Sequence, residues 1–401
     1  MTTKTTKTAA LRLAPATLAA LLALGSSAFA QQCGGDFGQF LAGVKQEALS
    51  QGLSPEAADR VLDSARQDQA ILAHDRGQSV FRMNFIDFSQ RIISANRMQQ
   101  GQAVLQRHAD AFARAEQQYG VPGPVIAAFW GLETDFGAVQ GDINTVNALA
   151  TLAHDCRRPE LFRPHLIGAI AMAQNGDLDP ATMTGAWAGE IGQVQMLPAD
   201  IVEFGVDGDG DGRIDMKNSA ADSILTAANF IRSLGWRPGE PWLQEVTIPA
   251  NLPWERTGLT PGTTVGEWQS LGVSARNGSL PAPSLEARLI MPQGRGGPVF
   301  LAYPNFDVYL EWNQSFIYTT SAAYFAARLA GADRYNAGNP EPGLSDSQMR
   351  DLQARLQAKG YNVGEIDGIL GAGTRTAVRD EQLRLGLPAD GWPTPALLGQ
   401  I

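Results

Sequence analysis

Phe129-Trp130-Gly131-Leu132-Glu133-Thr134-Asp135-Phe136-Gly137 is the stretch whose reading decides the fold. It carries one carboxylate crowded by large aromatics and closed by glycine. The run before it, Val121-Pro122-Gly123-Pro124-Val125-Ile126-Ala127-Ala128, predicts a helix start, because proline is tolerated in the first turn. Gly137 is a candidate helix stop. Glu133 then falls in the last turn, with Phe129 at i−4 and Trp130 at i−3, the spacings at which helix side chains meet. An apolar wall and the negative end of a helix dipole both disfavour the ionised carboxylate. A Glu kept protonated in this way can act as a general acid on a glycosidic bond. A lone Glu on a solvated helix end would have the same local sequence, so the rest of the chain must decide.

Working outward, residues 1–30 have the pattern of an export signal. Lys4, Lys7 and Arg12 precede an apolar run from Leu18 to Leu24, and Ala28-Phe29-Ala30 forms a small-x-small cleavage site before Gln31. The apolar run is too short to span a bilayer, and no other stretch is long and apolar enough to do so. Gln32 stands before Cys33, where a lipid-anchor signal needs a small residue. The localisation expected is therefore the periplasm. The two cysteines, Cys33 and Cys156, both lie beyond the cut. An even pair in an oxidising compartment predicts one disulfide; two buried thiols are the alternative. The net charge of −10 falls to about −13 without the signal's three positive charges. Such a chain is a poor partner for nucleic acid or anionic lipid.

The pattern predicts a mainly α fold with a small β-containing segment. Phe37, Phe40, Leu41 and Val44 recur at helical spacing. Ser54-Pro55-Glu56 reads as an N-cap with proline in the first turn, and a helix is expected from about Met98 into Tyr119. Short apolar or alternating runs at Leu285–Met291 and Pro298–Tyr303, bounded by Pro and Gly, predict strands. Helix returns at Ser321–Ala330. Gly, Asn and Pro residues mark 332–344 as a linker before a small helical unit over 345–401. The catalytic unit is expected to span 31–331.

A second cluster runs from Gly185 through Trp187, Gly189, Glu190, Gly192, Gln193 and Gln195 to Pro198. Trp187 can offer a flat face to a sugar, and Gln193 and Gln195 can both donate and accept hydrogen bonds. A tight loop with a core Trp and surface glutamines fits the same residues. Trp130–Gly137, Leu149–Ala153, Trp187–Pro198, and Ile290–Asn313 with Trp312-Asn313-Gln314-Ser315 together resemble the lytic murein transglycosylase B family over most of residues 33–331. The resemblance implies a lysozyme-like catalytic domain that cleaves peptidoglycan, without a required cofactor, at the bond after N-acetylmuramic acid. Glu133 would serve as acid and then base, giving a 1,6-anhydro end. Trp187, Glu190, Gln193, Gln195 and Asn313 are the groove candidates. Ala186 replaces a frequent Ser, and Glu190, in place of a small residue, is expected to face solvent. The alternatives are a muramidase with Asp135 or Glu190 activating water, and a non-catalytic wall-binding scaffold.

Asp207-Gly208-Asp209-Gly210-Asp211-Gly212-Arg213-Ile214-Asp215 resembles a calcium loop of EF-hand type. Asp207, Asp209, Asp211, the Arg213 carbonyl and Asp215 would be its ligands. Asn218 stands where a bidentate Glu is usual, so weak calcium binding or none is expected, and a metal-free acidic turn is the alternative. Gln353, Gly360, Asp367-Gly368, Gln382 and Asp390-Gly391 resemble a three-helix peptidoglycan-binding module, with Glu381 in place of an aromatic. His74, His108, His154 and His165 lack zinc-ligand spacing. No G-x-S-x-G elbow occurs.

Overall fold

The computed structural model describes residues 34–77, 83–260 and 262–401. The expected signal segment and Cys33 lie outside the described residues. The chain enters through α1 (Phe37–Ser50), α2 (Pro55–Leu62), α3 (Gln69–Arg76), α4 (Phe85–Ile92), α5 (Ala95–Arg107), α6 (Ala109–Tyr119) and α7 (Gly123–Thr134). Then follow β1 (Ile143–Asn144), α8 (Thr145–His154), α9 (Pro159–Asn175), β2 (Thr184–Gly185), α10 (Pro198–Phe204) and α11 (Ala220–Ser233). Side-chain caps set many of the starts. Ser54 accepts the Ala57 N–H at 3.1 Å with Pro55 in the first turn, as the sequence predicts.

The helix expected from Met98 to Tyr119 is two helices. His108 leaves helical geometry at φ −111°, ψ 31°. Its ring packs on Trp130 at 5.6 Å. The bend lets α6 lie against both α7 and α11. A period of 3.6 continues across such a bend, which is why the sequence pattern does not show it.

The β-containing segment holds β3 (Leu243–Thr247), α12 (Val265–Ser270), β4 (Ser274–Ala275), β5 (Arg288–Ile290) and β6 (Phe300–Ala302). Its four strands are antiparallel in the order β4-β3-β6-β5, with Leu289 opposite Leu301. The sheet covers a core of its own around Trp268, Leu289, Leu301 and Tyr303. The main core lies among the helices around Ile126, Phe129, Leu149, Ile170 and Phe325.

The last helices of the body are α13 (Phe306–Trp312) and α14 (Phe316–Leu329). α14 starts five residues before the expected Ser321. Phe316 to Thr320 is a run of aromatic and β-branched residues with weak helix propensity. Packing of α14 on α7 and the Ser315 cap to Tyr318 N–H override that preference.

Residues 332–344 are irregular and pinned along their length. Tyr335 shares a hydrogen bond with Ser89 at 2.8 Å, Asn336 N–H donates to Glu245 at 2.7 Å, and Asn339 N–H donates to Gly296 O at 2.8 Å. The final unit holds α15 (Asp346–Ala358), α16 (Ala372–Arg384) and α17 (Pro395–Leu398) around Leu352, Leu356, Val378 and Leu397. Two buried glutamines organise it. Gln353 accepts the Gly368 N–H and donates to Asp367; Gln382 accepts the Gly391 N–H and donates to Asp390. Each clamps one Asp-Gly turn, so the repeated pair in the sequence is a repeated hydrogen-bond device.

Candidate active site

Glu133 sits in the last turn of α7, as its spacing predicts. The helix does not stop at Gly137. Asp135 already turns into the left-handed region at φ 53°, and Phe136 follows at φ 61°. Thr134 holds this reversal, accepting the Gly137 N–H at 2.8 Å and donating to the carbonyl of Gln193. That last bond ties the end of α7 to the glycine-rich loop. Asp135 points its carboxylate at Arg97, with Nε to Oδ1 at 2.9 Å.

Glu133 is half-buried, so it keeps a solvent edge while protein crowds its other sides. Two donors converge on one oxygen. Trp312 Nε1–H donates to Oε1 at 3.0 Å, and the Tyr318 hydroxyl donates to the same atom at 2.6 Å. Among the described residues no donor reaches Oε2. Phe129 lies under the site, stacked on Trp312 at 4.2 Å and on Tyr309 at 4.9 Å. Trp130 packs instead on His108 and Phe136.

The electrostatics follow from that arrangement. Desolvation is the largest influence and pushes the Glu133 carboxyl up. The Tyr318 and Trp312 hydrogen bonds pull it down, and the charge of Glu190 pushes it up again. The net direction is upward, which favours the protonated carboxyl that a general acid needs. With Oε1 holding both donors, Oε2 is the oxygen left to carry the proton.

Glu190 does not face solvent as its loop position suggested. It is half-buried, its Oε2 accepts the Ala188 N–H at 3.2 Å, and desolvation raises its own carboxyl. The remaining loop candidates are held as follows. Gln193 is buried and its N–H donates to Met216 O at 2.9 Å. Gln195 has φ 52° and donates its side-chain amide to Gly192 O at 2.8 Å. Trp187 is half-buried beside His74 at 6.5 Å. Gly185 is required by space, since a Cβ there would stand 1.9 Å from the Glu190 carbonyl. Asn313 caps the turn after Trp312: its Oδ1 accepts the Ser315 N–H at 2.9 Å and its carbonyl accepts the Thr319 hydroxyl at 2.6 Å. That turn places Trp312 and Tyr318 on either side of Glu133.

Tyr318 is the site residue that local reading misses. It falls before the expected start of α14 and outside every quoted motif. Trp312 stands inside the quoted Trp312–Ser315 motif but without an assigned role.

The acidic loop brings Asp207, Asp209 and Asp211 together, with one carboxylate oxygen from each within 4.8 Å of the others. Asp215 is engaged elsewhere, accepting from Lys217 N–H and from the Asn218 amide. Arg213 reaches Gly176 O through its guanidinium. Buried Asp222 closes the loop from inside by accepting the N–H groups of Gly208, Asp209 and Asp215.

Known proteins resemble the chain over most of its length. Residues 36–327 match the Transglycosylase SLT domain family, and residues 345–401 match a peptidoglycan binding domain family. Membrane-bound lytic murein transglycosylase B of Escherichia coli K12 is 30% identical over 278 residues, covering 67% of this chain and 73% of its own length. SltB3 from Pseudomonas aeruginosa, solved in complex with NAG-anhNAM-pentapeptide, superposes with a TM-score of 0.82 at 36% identity, over 92% of this chain and 99% of that one. The Escherichia coli lytic transglycosylase Slt35, solved in complex with calcium, gives a TM-score of 0.62 at 25% identity, over 75% of this chain and 96% of that one. A helical body that aims a desolvated Glu from the end of α7, matched over residues 36–327, makes the chain a member of the transglycosylase SLT domain family.

Proposed function

We propose that the chain is a peptidoglycan lytic transglycosylase that cleaves the β-1,4 bond between N-acetylmuramic acid and N-acetylglucosamine, with Glu133 as its acid and base. The observation that carries this is the Glu133 carboxyl, desolvated and held by Trp312 and Tyr318 on Oε1 alone. Oε2 would donate its proton to the leaving oxygen. The substrate's acetamido oxygen would support the positive charge at the anomeric carbon, so no carboxylate nucleophile is needed. Ionised Glu133, stabilised by the same two donors, would then take the proton from the 6-hydroxyl. That oxygen closes on the anomeric carbon and yields a 1,6-anhydro end without water.

A water-activating base is poorly supported. Asp135 is committed to Arg97, and one Glu190 oxygen is taken up by the Ala188 N–H of its own loop. Trp187 and Glu190 are read as groove residues. Gln193, Gln195 and Asn313 are read as holding the groove's loops in place. The unit over 345–401 is read as the wall-binding module.

No helix among the described residues is long and apolar enough to cross a membrane. We read residues 1–30 as an export signal and the mature protein as periplasmic. A Cys33–Cys156 disulfide would tie the chain's start to the end of α8; the Gly34 N–H to His154 O bond of 2.7 Å supports that closeness. Asp207, Asp209 and Asp211 offer the hard oxygens calcium prefers. With Asp215 turned away and Asn218 in place of a Glu, weak structural binding is expected. Calcium titration by calorimetry tests it, and no heat at millimolar calcium removes the metal.

The functional test is mass spectrometry of products from isolated sacculi. Anhydro ends, lighter by one water than reducing ends, support the reading. Reducing ends, or an active Glu133→Gln variant, would sink it.

A further inference from the structure

The mechanism leaves unused a cavity of about 320 Å³ at the seam between the C-terminal module and the body. One face of α16 lines it through Arg375, Thr376 and Arg379, positions that helix geometry places together. Across from them stand Leu259, Thr260 and Phe316. Phe316 opens α14, two residues before Tyr318, so the cavity lies at the start of the helix whose Tyr318 donates to Glu133.

Each arginine keeps one unmet N–H. Arg375 donates through Nη2 to Pro292 O at 2.7 Å, and its guanidinium lies 4.7 Å from the Phe316 ring centre. Its buried Nε–H meets no acceptor. Arg379 donates through Nη2 to Glu255 O at 2.9 Å, and its buried Nε–H is likewise unmet. Buried N–H groups without acceptors are uncommon and costly. Desolvation pulls Arg375 down to about 9, and the charge of Asp390 offsets only part of it. Asp390 also lines the cavity, but its oxygens already accept from Gln382, Trp392 N–H and Arg295 N–H. Asp380 stands 3.9 Å from Arg379 Nη1 but outside the lining, so the cavity wall itself sets two guanidinium groups against the single carboxylate of Asp390.

Guanidinium groups are suited to bind a carboxylate in a two-pronged fashion. We propose that this cavity binds the terminal carboxylate of the peptide stem carried by the glycan substrate, with Arg375 and Arg379 as its donors. The proposal rests on the peptidoglycan reading above. The molecule bound to SltB3 carries a pentapeptide, which ends in such a carboxylate. Five extended residues reach about 17 Å, and the cavity wall at Phe316 is two residues from Tyr318, the donor to Glu133. In this arrangement the C-terminal module completes the substrate site rather than only holding the wall.

The test uses the full chain carrying Glu133→Gln, so that ligand is bound without turnover. Calorimetry compares NAG-NAM-pentapeptide with the same molecule ending in a carboxamide. The acid should bind at least about tenfold tighter, and adding Arg379→Gln should erase the difference. A melting curve shows whether that variant is folded, and the acid–amide comparison in the parent needs no arginine variant. Equal affinity for acid and amide, no measurable binding of either, or a difference that survives both Arg379→Gln and Arg375→Gln would overturn the proposal. The arginines would then only fasten the module to the body. Failure of the underlying reading shows elsewhere, as the absence of anhydro ends when the unsubstituted protein digests peptide-free glycan strands.

Discussion

Replacing Tyr318 by Phe removes the shorter of two donors to Glu133 and nothing else of comparable size. The bond is 2.6 Å from hydroxyl to Oε1, in the range of charge-assisted bonds between an O–H and a carboxylate. A hydrogen bond to a charged group contributes about 1.5–3 kcal/mol net. It acts mainly on the ionised form, and one pKa unit corresponds to about 1.4 kcal/mol. The full loss would raise the Glu133 carboxyl by about 1–2 units. Trp312 remains on the same oxygen at 3.0 Å and compensates in part, so we expect about one unit. The sign follows from the role. A general acid works while protonated, so a higher pKa carries activity to higher pH, and the alkaline limb of kcat/KM moves up by about one unit. The plateau falls by about tenfold, because the carboxylate that forms as the proton leaves has lost a donor. The assay is release of soluble fragments from sacculi across a pH series. Trp312→Phe is the companion: it keeps the stack on Phe129 and should shift the limb the same way, by less. An alkaline limb that stays put or moves down in Tyr318→Phe refutes the reasoning.

Three further outcomes are expected. Glu190→Gln removes a like charge that pushes Glu133 up, so the alkaline limb should move down, opposite to Tyr318→Phe; an upward shift in the same pH series contradicts the assignment. Glu133→Gln should raise the melting temperature at pH 8 and not at pH 4. Because the folded carboxyl is raised, its stabilising contribution is complete below the unfolded value and is lost as pH rises through the folded one; an equal gap at both pH values argues against a desolvated acid. Buried His165 is held down to about 4 by desolvation, and its Nδ1 accepts the Ala199 N–H. Neutral in the fold, it favours the native state above pH 6.5 and loses that advantage as pH falls toward 4, by at most about 3 kcal/mol. The acid loss of stability should shrink in His165→Gln, read by denaturant titration at pH 7 and pH 4.5.

How much of this the sequence shows depends on how far apart the partners lie along it. The helix bearing Glu133, its proline start and the strand pair around Leu289 and Leu301 are local patterns, and they are legible. Trp312 and Tyr318 meet Glu133 across 179 and 185 residues, a distance over which spacing carries no signal. Tyr318 is hidden further, because the run Phe316–Thr320 has weak helix propensity and acquires its helix from packing against α7. Glu190 reads as a polar loop residue until the loop folds over the end of α7. Gly137 reads as the stop because glycine is the usual left-handed residue. Asp135 takes that conformation two residues earlier, with its carboxylate fixed by Arg97. The bend at His108 has the same cause: a tertiary contact with Trp130 overrides a period that runs on unbroken.

Attachment of the C-terminal unit changes what a wall-binding module can do for the enzyme. On a loose linker it would raise the local concentration of glycan, and the benefit would fall with linker length. Here Thr257 donates to Ala389 O at 3.0 Å, Arg295 N–H donates to Asp390 at 3.0 Å, and Trp392 donates to Glu341 O at 2.9 Å, while Arg375 lies against Phe316. These contacts, with the pinned segment 332–344, hold the module on the body in a set orientation. The ordering entropy that a tethered module loses when both sites engage substrate is lost instead during folding. A fixed orientation also selects. Only strands whose geometry meets both the groove at Glu133 and the module's face gain from the second contact. The two glutamine clamps matter for the same reason. Gln382 orders the Asp390-Gly391 turn through both the oxygen and the NH2 of its amide, and Asp390 is the residue through which that turn meets Arg295. The device that folds the module is therefore continuous with the one that docks it.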